Sequence, residues 1–198
     1  MPDHFPFAQR TGWEMLQNEI TSQLDGLHRS DTPIIDLTES NPTRCGFLYP
    51  QDKILKLLSS SNNMLYDPSP SGNREAREAV VRYYRSKNIN ISPEQIFLCA
   101  STSEAYTFLF RLLADPKERV LFPRPSYPLF EFLVGLNDVR MDTYALGYDR
   151  GIRREEDEWF IDFKSLESEV QSNTKAVVLV NPNNPTGSYV KSNELKIL

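Results

Sequence analysis

The chain has 198 residues, 39% hydrophobic and 25% charged, with 22 Lys and Arg against 27 Asp and Glu and a net charge of -5. This is an ordinary globular composition, large enough for a sizeable core, and no basic block supports a nucleic-acid or membrane-surface role, since Arg150, Arg153 and Arg154 run at once into acidic residues. No apolar run nears the roughly 18 residues of a membrane helix, Met1 opens no leader pattern, and Cys45 and Cys99 have no metal-type spacing, so a cytoplasmic protein with two free thiols and no metal is expected.

Leu16, Ile20, Leu24 and Leu27 share one face of an expected helix from Trp13 to Leu27. Ile34 to Thr38 suits a short strand and Asp52 to Leu58 a short helix. Arg74 to Arg85 places Ala76, Ala79, Val80, Tyr83 and Tyr84 at helical spacing, with Gly72 and Asn73 where a cap belongs. Ile96 to Cys99 then has the look of a buried strand. Ser103 to Ala114 is an expected helix with Ala105, Phe108, Leu109, Leu112 and Leu113 on one face and Tyr106 and Phe110 on the other, so both faces should be covered. Arg119 to Phe122 is an expected strand, Ser126 to Leu136 a helix, Val139 to Leu146 a strand, Phe163 to Val170 a helix, Ala176 to Val180 a strand, and a helix should start near Ser192. The 14 prolines cluster between these elements, where turns belong.

Strands and helices alternate, and the strands are continuous apolar runs. This pattern predicts an α/β fold with a mostly parallel sheet sandwiched by helices. Ligands of such sheets lie beyond the carboxyl ends of the strands. Three segments occupy those positions. Ala100-Ser101-Thr102-Ser103-Glu104-Ala105 puts three hydroxyls at a helix N-terminus, where free N–H groups and the helix dipole attract an anion such as phosphate; plain N-capping is the alternative. Pro123-Arg124-Pro125-Ser126-Tyr127-Pro128 holds Tyr127 in a stiff loop, against either a planar ligand or the core. Asn181-Pro182-Asn183-Asn184-Pro185-Thr186-Gly187 crowds three amides into one rigid loop, more than a simple turn needs.

Asn183-Asn184-Pro185-Thr186-Gly187 after an apolar strand resembles the signature loop of the class I/II aminotransferases, pyridoxal-phosphate enzymes of fold type I. Four more segments match in order: Leu37 to Pro42, Tyr66 with Gly72 to Arg77, Ser101 to Ala105, and Pro123 to Pro128. The resemblance implies that Ser101, Thr102 and Ser103 bind the cofactor phosphate, although many relatives carry glycine at the position of Thr102. It implies that Tyr127 stacks on the pyridine ring, that Asn184 hydrogen-bonds the cofactor's 3-oxygen, and that Tyr66 reaches a partner's phosphate across a homodimer. Ser40, often glycine in the family, would border the substrate carboxylate.

The resemblance further implies amino-group transfer between an amino acid and a 2-oxo acid, with residues 1–50 as the N-terminal arm and substrate loop and residues 51–198 as an incomplete large cofactor-binding domain. The lysine that would hold the cofactor, the ring-nitrogen aspartate and the carboxylate-binding arginine are expected beyond residue 198. Lys191 and Lys196 follow the asparagine loop too closely to serve, so these residues alone are expected to be inactive and, with an unpaired last strand, poorly soluble. A carbon–sulfur lyase of the same fold and a non-catalytic cofactor-binding remnant remain as alternatives. A doubly wound nucleotide-binding domain lacks its motif, since neither GxGxxG nor GxxxxGK[ST] occurs.

Overall fold

The computed structural model describes residues 7–13, 16–30, 33–35, 37–150 and 157–198. The chain divides into two compact units, one of Met1–Trp13 with Cys99–Leu198 and one of Glu14–Leu98.

The second of these units is helical. Helix α1 spans Glu19–Arg29, starting later than the apolar periodicity suggested. Asn18 stops it there: its backbone is extended and its side chain accepts from the Thr21 N–H at 2.8 Å, a standard N-cap. Glu14 and Met15 lie outside the described residues. No strand forms among the described residues of the Ile34–Thr38 stretch; Asp36 lies outside them. Helix α2 spans Gln51–Leu58 and helix α3 spans Arg74–Arg85, both as expected. Asn73 caps α3 through the Ala76 N–H at 3.0 Å. Arg77 ties α3 to its surroundings by donating to the Gly72 carbonyl at 3.1 Å and the Pro93 carbonyl at 2.8 Å.

Ile96 to Cys99 is not a strand. Phe97 and Leu98 are 73% and 39% exposed, and beyond local turns the segment is held by one bond, from the Leu98 N–H to the Ser71 carbonyl. An apolar run becomes a strand when a neighbour pairs with it, and none among the described residues does. Gly72 lies beneath this segment at φ +88°, and a Cβ built there would stand 2.6 Å from the Leu98 Cβ. Gly72→Ala is therefore expected to cost about 2 kcal/mol or more, from the left-handed backbone and the collision together, as read by urea denaturation. A cost near zero would show that this segment can shift freely.

The other unit is the α/β body. Helix α4 spans Thr102–Leu113, strand β1 Arg119–Arg124, helix α5 Phe130–Leu136, strand β2 Arg140–Arg150, strand β3 Asp157–Ile161, helix α6 Phe163–Glu169 and strand β4 Thr174–Val177. The sheet order is β3-β2-β1-β4. β1 runs parallel to both β2 and β4, and β2 and β3 form an antiparallel pair. The sheet is thus mostly parallel, as expected, with one antiparallel margin that the apolar pattern did not announce. α5 starts four residues later than expected, because Pro125 and Pro128 cannot donate to a helix and residues 128–129 form a turn. Residues 192–197 form turns and not a helix.

Side chains alternate across β1, so the sheet buries both faces. Val120 and Phe122 join Phe110, Phe130, Val134 and Val139 under α4 and α5. Leu121 joins Tyr144, Ile161 and Leu166 under α6. α4 covers the sheet with Tyr106 and Phe110 only. Its other apolar face is exposed, with Phe108 at 58% and Leu112 at 78%, so the expected double coverage is absent within this unit. Arg10 pairs with Asp138 at 2.7 Å and Trp13 packs edge-on against Phe132, which fastens the N-terminal segment to the region around α5.

Candidate functional site

β1 and β4 are parallel neighbours, so their carboxyl ends lie side by side. From β1 the chain runs into Pro125, Ser126 and Tyr127; from β4 it runs through Val178, whose N–H still donates to the Leu121 carbonyl at 2.8 Å, into Asn181. The two loops touch. The Asn183 side-chain amide donates to the Pro125 carbonyl at 3.2 Å and to Thr186 Oγ1 at 2.9 Å. Gly187, at φ +70°, turns the loop back so that its N–H reaches the Asn183 carbonyl at 2.7 Å.

The α4 N-terminus reaches the same end of the sheet. α5 starts just after β1 and ends just before β2, so its first residue marks the carboxyl end. α4 runs alongside in the same direction. Near its start, Tyr106 packs edge-on against Phe130 at 5.0 Å; at its close, Arg111 donates to the Asn137 side chain at 2.9 Å. Ser101, Thr102 and Ser103 therefore open toward the end that carries Tyr127 and the asparagine loop. Ser101 is committed to capping, accepting from the Glu104 N–H at 3.1 Å. The N–H groups of Thr102 and Ser103 have no acceptor among the described residues, as expected of a first helical turn. Glu104 places a carboxylate in the same turn, but it bonds backward to the Ala100 N–H at 2.6 Å.

Tyr127 is half-buried. Its ring meets Phe130 edge-on at 5.6 Å, and it lines a cleft of about 440 Å³ with Arg124, Ser126, Glu131, Met141 and Thr143. That cleft opens on the β2 side of the loop and is lined by neither Ser103 nor Asn184. Asn184 is exposed, with no hydrogen-bond partner among the described residues. Ser40 and Tyr66 belong to the helical unit. Ser40 is exposed, beside a turn in which Asn41 accepts from the Thr43 N–H at 3.0 Å, and Tyr66 is 91% exposed.

Residues 24–198 match the family model of the class I and II aminotransferases. The chain belongs to this family. Among curated aminotransferase relatives, it is 31% identical to the glutamate-pyruvate aminotransferase AlaA of Haemophilus influenzae over 170 residues, which is 85% of this chain and 40% of that protein. It is equally 31% identical to the S-alkyl-thiohydroximate lyase SUR1 of Arabidopsis thaliana over 147 residues, 74% of this chain and 30% of that protein. The chain thus spans less than half the length of these relatives. Among solved structures, an alanine aminotransferase from Pyrococcus furiosus superposes with a TM-score of 0.74 at 26% identity, covering 96% of this chain and 47% of that one. A Thermus thermophilus aspartate aminotransferase variant, at 20% identity and TM-score 0.75, shows the aminotransferase fold alone.

Sequence reasoning passed over two site-end residues. Asn183 is the buried asparagine of the three in its loop, at 6% exposed. Glu194, 4% exposed, accepts from the Ile161 N–H and the Lys191 N–H, each at 2.8 Å. Lys191 in turn donates to the Trp159 carbonyl and pairs with Glu158 at 2.8 Å. Nothing in the local sequence distinguishes Glu194 from a solvated helix residue. Among the described residues no helix is long and apolar enough to cross a membrane, and no cluster of His, Cys, Asp and Glu is arranged to hold a metal.

Proposed function

We propose that this chain supplies the phosphate-holding and ring-holding part of a pyridoxal-phosphate-dependent aminotransferase acting between an amino acid and a 2-oxo acid. One observation carries the reading: in a chain of this family, two polar loops touch at the carboxyl end of the parallel strands and the α4 N-terminus opens toward that same end, which is where open α/β sheets hold ligands. The residues suit the cofactor. Thr102 and Ser103 offer hydroxyls and unspent N–H groups at the positive end of α4, which suits a phosphate. Ser126 Oγ and Asn183 Oδ1 are buried without hydrogen-bond partners among the described residues, so both loops retain polar capacity.

When bound, pyridoxal phosphate supplies the electron sink for breaking bonds at the amino acid's α-carbon. The chain's own residues do the rest of the work assigned here. Thr102 and Ser103 hold the phosphate end. Tyr127, steadied by Phe130, fixes the plane of the ring. Asn184, exposed and uncommitted, donates toward the cofactor's 3-oxygen and favours its deprotonated form. Ser40 bordering the substrate, Tyr66 serving a partner's phosphate, a homodimer and a cytoplasmic setting belong to the same proposal. Lys191 is engaged with Trp159 and Glu158, which supports the expectation that residues 1–198 alone do not turn over amino acids.

The test is a comparison of ligands on the 198-residue chain by equilibrium dialysis. Pyridoxal phosphate should bind at least about tenfold more tightly than pyridoxal, a difference worth about 1.4 kcal/mol, and Ser103→Asp should abolish that preference. Equal retention of both compounds by the unaltered chain would refute the reading. The S-alkyl-thiohydroximate lyase relative, at the same identity as the aminotransferase, supports a second reading in which the same site serves carbon–sulfur cleavage. Assaying the protein that carries this sequence for 2-oxo acid formation with and without an amino acceptor separates the two.

A further inference from the structure

We propose that Asn183 is a positioning residue: through one buried amide it locks the Tyr127 loop to the Asn184 loop and so sets the gap between the ring-holding and oxygen-holding groups. The inference rests on the proposed cofactor reading for its consequence, but the tie itself is a property of the chain. Asn183 and Asn184 are adjacent, yet they are placed oppositely. Asn183 is 6% exposed and Asn184 is exposed.

A carboxamide nitrogen has two protons, and both are spent here. One bonds Thr186 Oγ1 at 2.9 Å, inside its own loop; the other bonds the Pro125 carbonyl at 3.2 Å, across 58 residues of sequence. Pro125 stands two residues before Tyr127, and Asn183 one residue before Asn184. The Asn183 backbone cannot drift to relieve a poor fit. Its N–H donates to the Ser188 carbonyl at 2.8 Å and its carbonyl accepts from Gly187 at 2.7 Å. A hydroxyl pair, Thr186 and Ser188 at 2.7 Å, braces the same turn. The amide is therefore a short strut from a rigid loop to the neighbouring strand end. A carboxylate of the same shape could not replace it, because it has no proton for the Pro125 carbonyl and would face that oxygen with negative charge.

The experiment uses hydrogen exchange read by mass spectrometry on the 198-residue chain without ligand, followed by pyridoxal phosphate affinity. Asn183→Asp and Asn183→Ser should speed exchange in both loops, residues 124–130 and 183–188, while leaving α4 and α6 protected. Thr186→Val should speed it in residues 183–188 only. Pyridoxal phosphate affinity should fall about tenfold in the Asn183 variants with inorganic phosphate binding unchanged, because the α4 end is untouched. If residues 124–130 exchange as slowly in Asn183→Ser as in the unaltered chain, the proposal is overturned. Should Asn183→Asp unfold, Asn183→Ser and Thr186→Val still separate a strut from a purely local brace. If the unaltered chain binds no pyridoxal phosphate, the functional reading falls, and the exchange pattern alone decides the strut.

Discussion

Replacing Phe130 with alanine is expected to destabilise the α/β unit by about 3–5 kcal/mol, the usual cost of deleting a fully buried aromatic side chain. Phe130 is 1% exposed and touches three other rings: Tyr106 of α4 at 5.0 Å, Phe122 of β1 at 4.7 Å and Tyr127 at 5.6 Å. The cavity cannot collapse easily, because the rings around it are held by a helix, a strand and a proline loop. Since whole domains are stable by only about 5–15 kcal/mol, this is a large fraction of the total. Phe130 also joins α4, through Tyr106, to the Tyr127 loop, so on the proposed function pyridoxal phosphate affinity should fall with stability. Phe132→Ala is the control: Phe132 is half-buried and packs its ring edge-on against Trp13. Urea denaturation gives both values. If Phe130→Ala costs under about 1 kcal/mol, or no more than Phe132→Ala, the aromatic cluster does not organise this end of the sheet.

Glu194→Ala should cost about 2–4 kcal/mol, because the N–H groups of Ile161 and Lys191 lose a buried charged acceptor together. Glu194→Gln keeps the shape but has one acceptor oxygen, so it should cost roughly half as much. A spectroscopic signature separates this from a simple packing defect. Burial first, and the nearby Glu194 charge second, hold the Tyr144 phenol above its ordinary pKa. Its hydroxyl donates to the Val178 carbonyl at 2.9 Å. Removing the carboxylate removes the like-charge contribution, so phenolate absorbance should rise at lower pH in Glu194→Ala than in the unaltered protein. An unchanged alkaline titration, with unchanged stability, would mean that Glu194 is not clamped against β3 in solution.

Much of the fold could be read in advance, and the exceptions have physical causes. α3 was legible to the residue because a cap at Asn73 and a helical period of apolar residues coincide. β1 was legible because its middle, Val120 to Pro123, is buried and therefore apolar without a break. β3 was missed because it begins with Asp157 and Glu158 and pairs antiparallel at the sheet's margin, where Ile161 alone is buried among the side chains of residues 158–161. Ile96 to Cys99 misled because apolarity signals burial somewhere, while strand formation needs a partner within reach. At the candidate site the residue types were legible, and so was the end of the sheet they occupy. Which asparagine is buried was not, since Asn183 and Asn184 are identical in chemistry and differ only in where the loop's own hydrogen bonds aim them.

The two outer rims of the sheet are finished differently. Lys191 and Glu194 reach the Trp159 carbonyl and the Ile161 N–H, so β3 offers an incoming chain few open groups, whereas the far side of β4 is paired with nothing among the described residues. Growth by strand addition is consequently one-sided. An incoming strand meets open groups at β4, whereas at β3 it would first have to prise away the turn of residues 192–197. Loosening that turn, as in Glu194→Ala, would open the second rim as well, visible as light scattering that sets in at a lower concentration than for the unaltered chain.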